Sequence, residues 1–131
     1  MPINTLIYGY MVREEEYPDK ATIIKEGAEG DWVYVVLEGK VKVKKQIPKG
    51  LITIDTLREG AIFGEMALLE KTKGPRTATI VADGPVKVGL LDRERLDNEF
   101  EALSTQLRGL IKALVSRLEN TTKMASLMAV D

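Results

Sequence analysis

The sequence predicts a chain that is mainly antiparallel β, a sandwich or barrel, finished by helices. Three observations carry that expectation. Between Ala21 and Asp92, short runs rich in valine, isoleucine and threonine alternate with glycine. After Leu91 the apolar spacing turns from strand-like to helical. The 131 residues, 44% apolar and 30% charged, have the size and make-up of one ordinary globular domain.

The elements follow in order. The first twenty residues, with "REEEYPDK", are charged and predict a short helix followed by a turn at Pro18. Strand runs follow at Ala21–Ile24, Trp32–Leu37, Val41–Ile47, Leu51–Leu57, Thr77–Ala82 and Val86–Leu91. Gly27, Gly30, Gly39, Gly50, Gly60 and Gly84 fall between runs, where reversals favour φ above zero. In "VKVKK", Val41 and Val43 share one face and Lys42 and Lys44 the other, a half-buried strand. No aromatics interleave with these lysines, so a solvated face is expected rather than a nucleic-acid patch.

Asp92 is a good N-cap for a helix over Arg93–Phe100. A longer helix is expected from about Glu101 to Met128, with Leu103, Leu107, Leu110, Ile111, Leu114, Val115 and Leu118 in a broad apolar stripe. At 1.5 Å per residue it would reach ~42 Å, longer than a barrel this small can cover. Its far half is therefore expected to pack on a partner helix, the plainer alternative being that it packs only on its own barrel, since the wide stripe does not make a strict heptad seam. We expect one domain over 1–131, with the β part over about 21–92 and the helices over about 93–128.

Composition excludes several functions. There is no cysteine and no histidine, which removes disulfides, thiolate zinc sites, cysteine nucleophiles, Ser-His-Asp triads and histidine-lined metal centres. A cupin-like enzyme would need a metal site made of carboxylates alone. The net charge of −1, with acids and bases interspersed, argues against a nucleic-acid or membrane partner held by bulk charge. The N-terminus does not read as a signal peptide, and no apolar run approaches the roughly 20 residues of a membrane helix. A cytoplasmic location is expected.

The stretch "IFGEMALLEKTKGPRTATIVA", from Ile62 to Ala82, holds the densest chemistry. Gly60 and Gly64 bracket Ala61-Ile62-Phe63 and let the backbone turn sharply. Met66-Ala67-Leu68-Leu69 reads as one or two helical turns whose free N–H groups would attract an anion. Arg76, at the mouth of a β-branched strand, could clamp that anion with two parallel hydrogen bonds. Glu65 beside it would accept hydrogen bonds from hydroxyl groups. A diol acceptor and a phosphate clamp together suit a ribose phosphate. The plainer alternative is that Glu65 and Arg76 pair with each other across a loop.

The stretch resembles the phosphate-binding cassette of the cyclic nucleotide-binding domain family: Phe63-Gly64-Glu65, Ala67, then Arg76-Thr77. The resemblance extends over roughly residues 15 to 128. "TIIKEGAEGDWVYVVLEGKVKV" is similar to the family's opening strands, and "LREGAIFGE" to the approach to the cassette. It implies an eight-stranded antiparallel β-roll of the jelly-roll kind, with a short helix in the cassette and one long C-terminal helix. By the same resemblance Glu65 would hold the ribose 2′-hydroxyl and Arg76 the cyclic phosphate. Backbone amides near Gly64 and Ala67, the Thr77 hydroxyl, and the neighbouring Phe63 and Met66 would complete the site.

In the catabolite activator branch, two hydroxyl residues on the long helix read the adenine edge, one for its own subunit and one for the partner's pocket. "RLENTTKM" offers Thr121 and Thr122 there. The implied protein is a non-catalytic sensor of cAMP, with cGMP as alternative, acting as a homodimer. It is expected to stand alone without a DNA-binding domain and to need no cofactor. The segment between Glu65 and Arg76 is slightly longer than the family pattern, which leaves Lys71 and Lys73 as alternative phosphate partners. A dimerising module with a non-binding pocket is the rival reading.

Overall fold

The structure, a computed structural model, describes residues 8–28, 32–64 and 78–128. Among the described residues there are six strands and two helices: β1 (Met11–Tyr17), β2 (Thr22–Ile24), β3 (Tyr34–Ile47), β4 (Gly50–Leu57), β5 (Ile62–Phe63), β6 (Thr79–Leu91), α1 (Arg93–Glu101) and α2 (Thr105–Met128). Every strand pairing is antiparallel, in the order β1-β6-β3-β4, with β2 also on β6 and β5 also on β3. The mainly β architecture with C-terminal helices is as the sequence predicts.

β3 and β6 are the long central pair, and each joins two runs that read separately in the sequence. In β3 the join is at Gly39, where φ is +87° and the register opposite β6 shifts on both sides of Glu38. A Cβ at Gly39 would stand 2.5 Å from the Pro85 carbonyl oxygen, so only glycine lets the strands approach here. The sequence sees a break at such a position because its side-chain pattern stops there. The hydrogen-bonded ladder carries on through the bend.

The core follows from these two strands. "WVYVVL" is apolar on successive residues, which predicts burial on both faces. Tyr34 and Val36 join Val41, Phe63, Ile80, Val86 and Val88 inside the roll, and Val33 and Val35 pack with Leu91 on the opposite face. Tyr10, Met11 and Leu96 cover that second cluster.

One expectation is corrected. Met11–Tyr17 is not a helix but the strand β1, paired with Val86–Leu91 of β6. Its glutamates favour a helix only weakly, and the unpaired edge of β6 supplies backbone partners that outweigh such a preference. The charges suit an edge strand: Lys87 meets Glu16 at 3.9 Å on one side and Glu38 at 3.0 Å on the other. The turn after Pro18 does form, closed by the Ala21 N–H to the Pro18 carbonyl at 3.1 Å.

Asp92 caps α1, accepting from the Arg95 N–H at 3.1 Å. The second helix begins at Thr105 rather than Glu101 because Ser104 caps it, accepting from the Leu107 N–H at 3.1 Å. α2 approaches the sheet at β3 and β4. Arg108, Ile111 and Val115 form its half-buried stripe, while Leu107, Leu110, Leu114 and Leu118 are 43–56% exposed.

Candidate functional site

The segment expected to carry the chemistry, 65–77, lies in sequence between two described strands, β5 and β6. Upstream, Gly60 donates to the Val36 carbonyl at 2.9 Å and the Val36 N–H donates to Ala61 at 2.9 Å. These bonds lay "GAIFG" along β3, with Phe63 opposite Tyr34 and Ile62 opposite Val35. The Phe63 ring is 2% exposed and stacks on Tyr34, ring centroids 4.9 Å apart and planes 4° from parallel. Gly64 follows at φ +79°, a conformation that an L side chain resists, so glycine suits the position just after β5. Downstream, the chain rejoins the sheet at Thr79, opposite Lys44 of β3.

Of the residues singled out by sequence, Phe63 and Gly64 thus stand at the end of β5. Glu65, Met66, Ala67, Arg76 and Thr77, with Lys71 and Lys73, lie outside the described residues. Thr121 is on α2, exposed, its hydroxyl donating to the Arg117 carbonyl at 2.9 Å. Thr122 is within the same helix, and its side chain lies outside what is described.

Sequence reading passed over three aromatic residues that lie in or against the inner cluster to which Phe63 belongs. Tyr34 forms the floor under Phe63. Trp32 packs partly buried against the inner cluster with the Arg13 guanidinium 5.0 Å above its ring. Tyr17 lies on the same side of the sheet as Val86, and its hydroxyl donates to Glu15 at 2.7 Å. Burial, then the bond to Glu15 and that residue's charge, push the Tyr17 hydroxyl well above its ordinary value. Trp32 and Tyr34 stand in a continuous apolar run, and large aromatic side chains there are the signal that was available.

Among the described residues no group of three or more Asp or Glu could hold a metal ion. Nor, among them, is any helix long and apolar enough to cross a membrane.

The fold defines a class: an antiparallel β-roll with an apolar interior, followed by two C-terminal helices. The profile of the cyclic nucleotide-binding domain matches residues 14–102. The chain belongs to the cyclic nucleotide-binding domain family.

A cAMP-dependent protein kinase regulatory subunit from Aspergillus fumigatus is 40% identical over 79 residues, 60% of this chain and 18% of that protein. A CRP-like cAMP-activated global transcriptional regulator from Mycobacterium tuberculosis is 29% identical over 120 residues, 88% of this chain and 52% of that protein. The crystal structure of the Thermus thermophilus catabolite activator protein superposes with a TM-score of 0.71 at 28% identity, covering 98% of this chain and 60% of that one. The chain therefore spans about half or less of the two sequence relatives' length.

Proposed function

We propose that this chain is a regulatory module that binds a 3′,5′-cyclic mononucleotide, cAMP ahead of cGMP, without chemical turnover. The observation that supports the reading is the Phe63-Gly64-Glu65 and Arg76-Thr77 sequence pattern, which begins in β5 and ends two residues before Thr79 of β6, in a chain of this family. Glu65 holds the ribose 2′-hydroxyl. Arg76 pairs with the cyclic phosphate, helped by amides near Gly64 and Ala67 and by the Thr77 hydroxyl. Phe63, seated on Tyr34, and Met66 are the remaining candidate residues of the site. Six strands stand among the described residues; counting β3 and β6, each of which joins two runs of the sequence, as two segments apiece would bring them to the eight of the family's roll. That both sequence relatives are named for cAMP supports the choice of base.

α2 provides the output. Only one of its two stripes faces the sheet, and Thr121 shares the other face with the exposed leucines at helical spacing. In this reading the leucine face meets a second copy, Thr121 and Thr122 reach the base, and bound nucleotide shifts the position of α2. The decisive experiment is calorimetric titration of the chain with cAMP and cGMP in parallel. Saturable micromolar binding is the expected result; silence from both with a folded chain overturns the reading. A second reading, a dimerising module with a silent pocket, is favoured by the leucine face, whose chemistry does not depend on a ligand. The same titration separates the two.

A further inference from the structure

Thr79 is a buried polar residue, 8% exposed, at the first position of β6. Its hydroxyl oxygen accepts the Glu26 backbone N–H at 2.9 Å. Glu26 sits in the turn after β2, which is closed by the Ala28 N–H to the Lys25 carbonyl at 3.1 Å. One oxygen of its carboxylate accepts the Gln46 N–H at 2.9 Å, and the other meets the Lys45 ammonium at 3.1 Å. Both side chains are mostly withdrawn from water, at 20% exposure for Lys45 and 26% for Glu26. One residue thereby ties together the turn after β2, the end of β3 and the start of β6.

The start of β6 is a costly place to leave loose. The rung formed by Thr79 and Lys44 is the first of the ladder, and terminal rungs open most readily. In sequence, Arg76 and Thr77 come three and two residues before Thr79. A guanidinium that must meet a phosphate with two aligned hydrogen bonds loses much of its effect when its anchor drifts by an ångström. The strand ladder fixes the register of β6, whereas the Glu26–Thr79 bond fixes its end.

We propose that the Glu26–Thr79 contact, braced by the Lys45 ion pair, is a positioning device that fixes the start of β6, two and three residues after the anion-binding candidates Thr77 and Arg76. Glu26 and Thr79 do not touch the ligand; they act through Arg76 and Thr77. The inference rests on the cyclic nucleotide reading above.

The test compares Thr79→Val, which keeps the shape but removes the acceptor, with Thr79→Ser, which keeps the hydroxyl. Each whole chain is titrated with cAMP, fitting both the dissociation constant and the number of sites, beside urea unfolding. Thr79→Val is expected to weaken binding about five- to twenty-fold, the effect of orphaning one buried N–H, with the number of sites kept. Thr79→Ser should stay within about twofold of wild type. Glu26→Gln, which keeps the backbone bond but loses the ion pair, should fall between them. The preference for cAMP over its 2′-deoxy analogue should not change, because the perturbation is on the phosphate side.

A merely structural role gives a different pattern: fewer sites and a lower urea midpoint at an unchanged dissociation constant. That result, or a serine variant as weak as the valine one, overturns the inference. If wild type binds cAMP and Thr79→Val binds it equally well, the inference alone fails. If folded wild type binds neither cAMP nor cGMP, the functional reading fails, and the inference with it.

Discussion

Replacing Leu114 by alanine measures what the exposed face of α2 is for. Leu114 keeps 51% of its surface open to water, in the middle of a stripe running from Leu107 to Leu118. Burying a whole leucine side chain contributes about 2 kcal/mol, so the open half is worth about 1 kcal/mol if a second copy covers it. A symmetric dimer counts the position twice, giving about 2 kcal/mol, or roughly a thirtyfold rise in the dimer dissociation constant. Sedimentation velocity across a wide concentration series reads that shift directly. Ile111→Ala is the control: this half-buried residue lies on the stripe facing the sheet. It should lower the urea midpoint and leave the dimer constant unmoved. Wild type that sediments as a monomer throughout, or a Leu114→Ala shift smaller than threefold, would refute the reasoning.

Other outcomes can be stated more briefly. Arg76→Ala should weaken cAMP binding by about 1.5–3 kcal/mol, the loss of a charged hydrogen-bond partner, as read by calorimetry. Glu65→Gln should weaken it less and should affect 2′-deoxy analogues least. Phe63→Ala should lower stability by about 3–5 kcal/mol in urea unfolding, since it empties a stacked, buried position. Asp92→Ala should lower stability by about 1 kcal/mol through loss of the cap on α1. Tyr17 gives a pH signature: its folded-state hydroxyl is held above the ordinary 10.0, so its contribution is complete below that pH. As pH rises further the unfolded chain ionises first and stability falls. Tyr17→Phe should flatten that alkaline decline, and an unchanged slope would show that another group causes it.

The parts legible in the sequence were those decided locally. Asp92 announced the start of α1 because a cap needs only its own turn, and glycine placement marked the turns after Pro48 and before Ile62 for the same reason. The family was legible as a spaced pattern of residue types. β1 was not, because "VREEE" has no apolar stripe and becomes a strand only when β6 offers its edge. The short β5 was missed as well: Ile62–Phe63 is two residues long and exists through its ladder to Tyr34 and Val35.

By itself, the sequence determined that this is a β-rich domain with helices at its end. It determined too that chemistry based on histidine or cysteine is closed to it, and which residues are candidates to meet a ribose phosphate. Composition, turn propensity and motif spacing are properties of the chain and need no partner. Only the tertiary structure decided which separate runs fuse into β3 and β6, because hydrogen bonds continue through a bend that interrupts the side-chain pattern. It alone divided the apolar positions of α2 into a stripe on the sheet and a stripe in water. And it brought Glu26 to Thr79, 53 residues along the chain, an encounter that depends on closure of the whole roll.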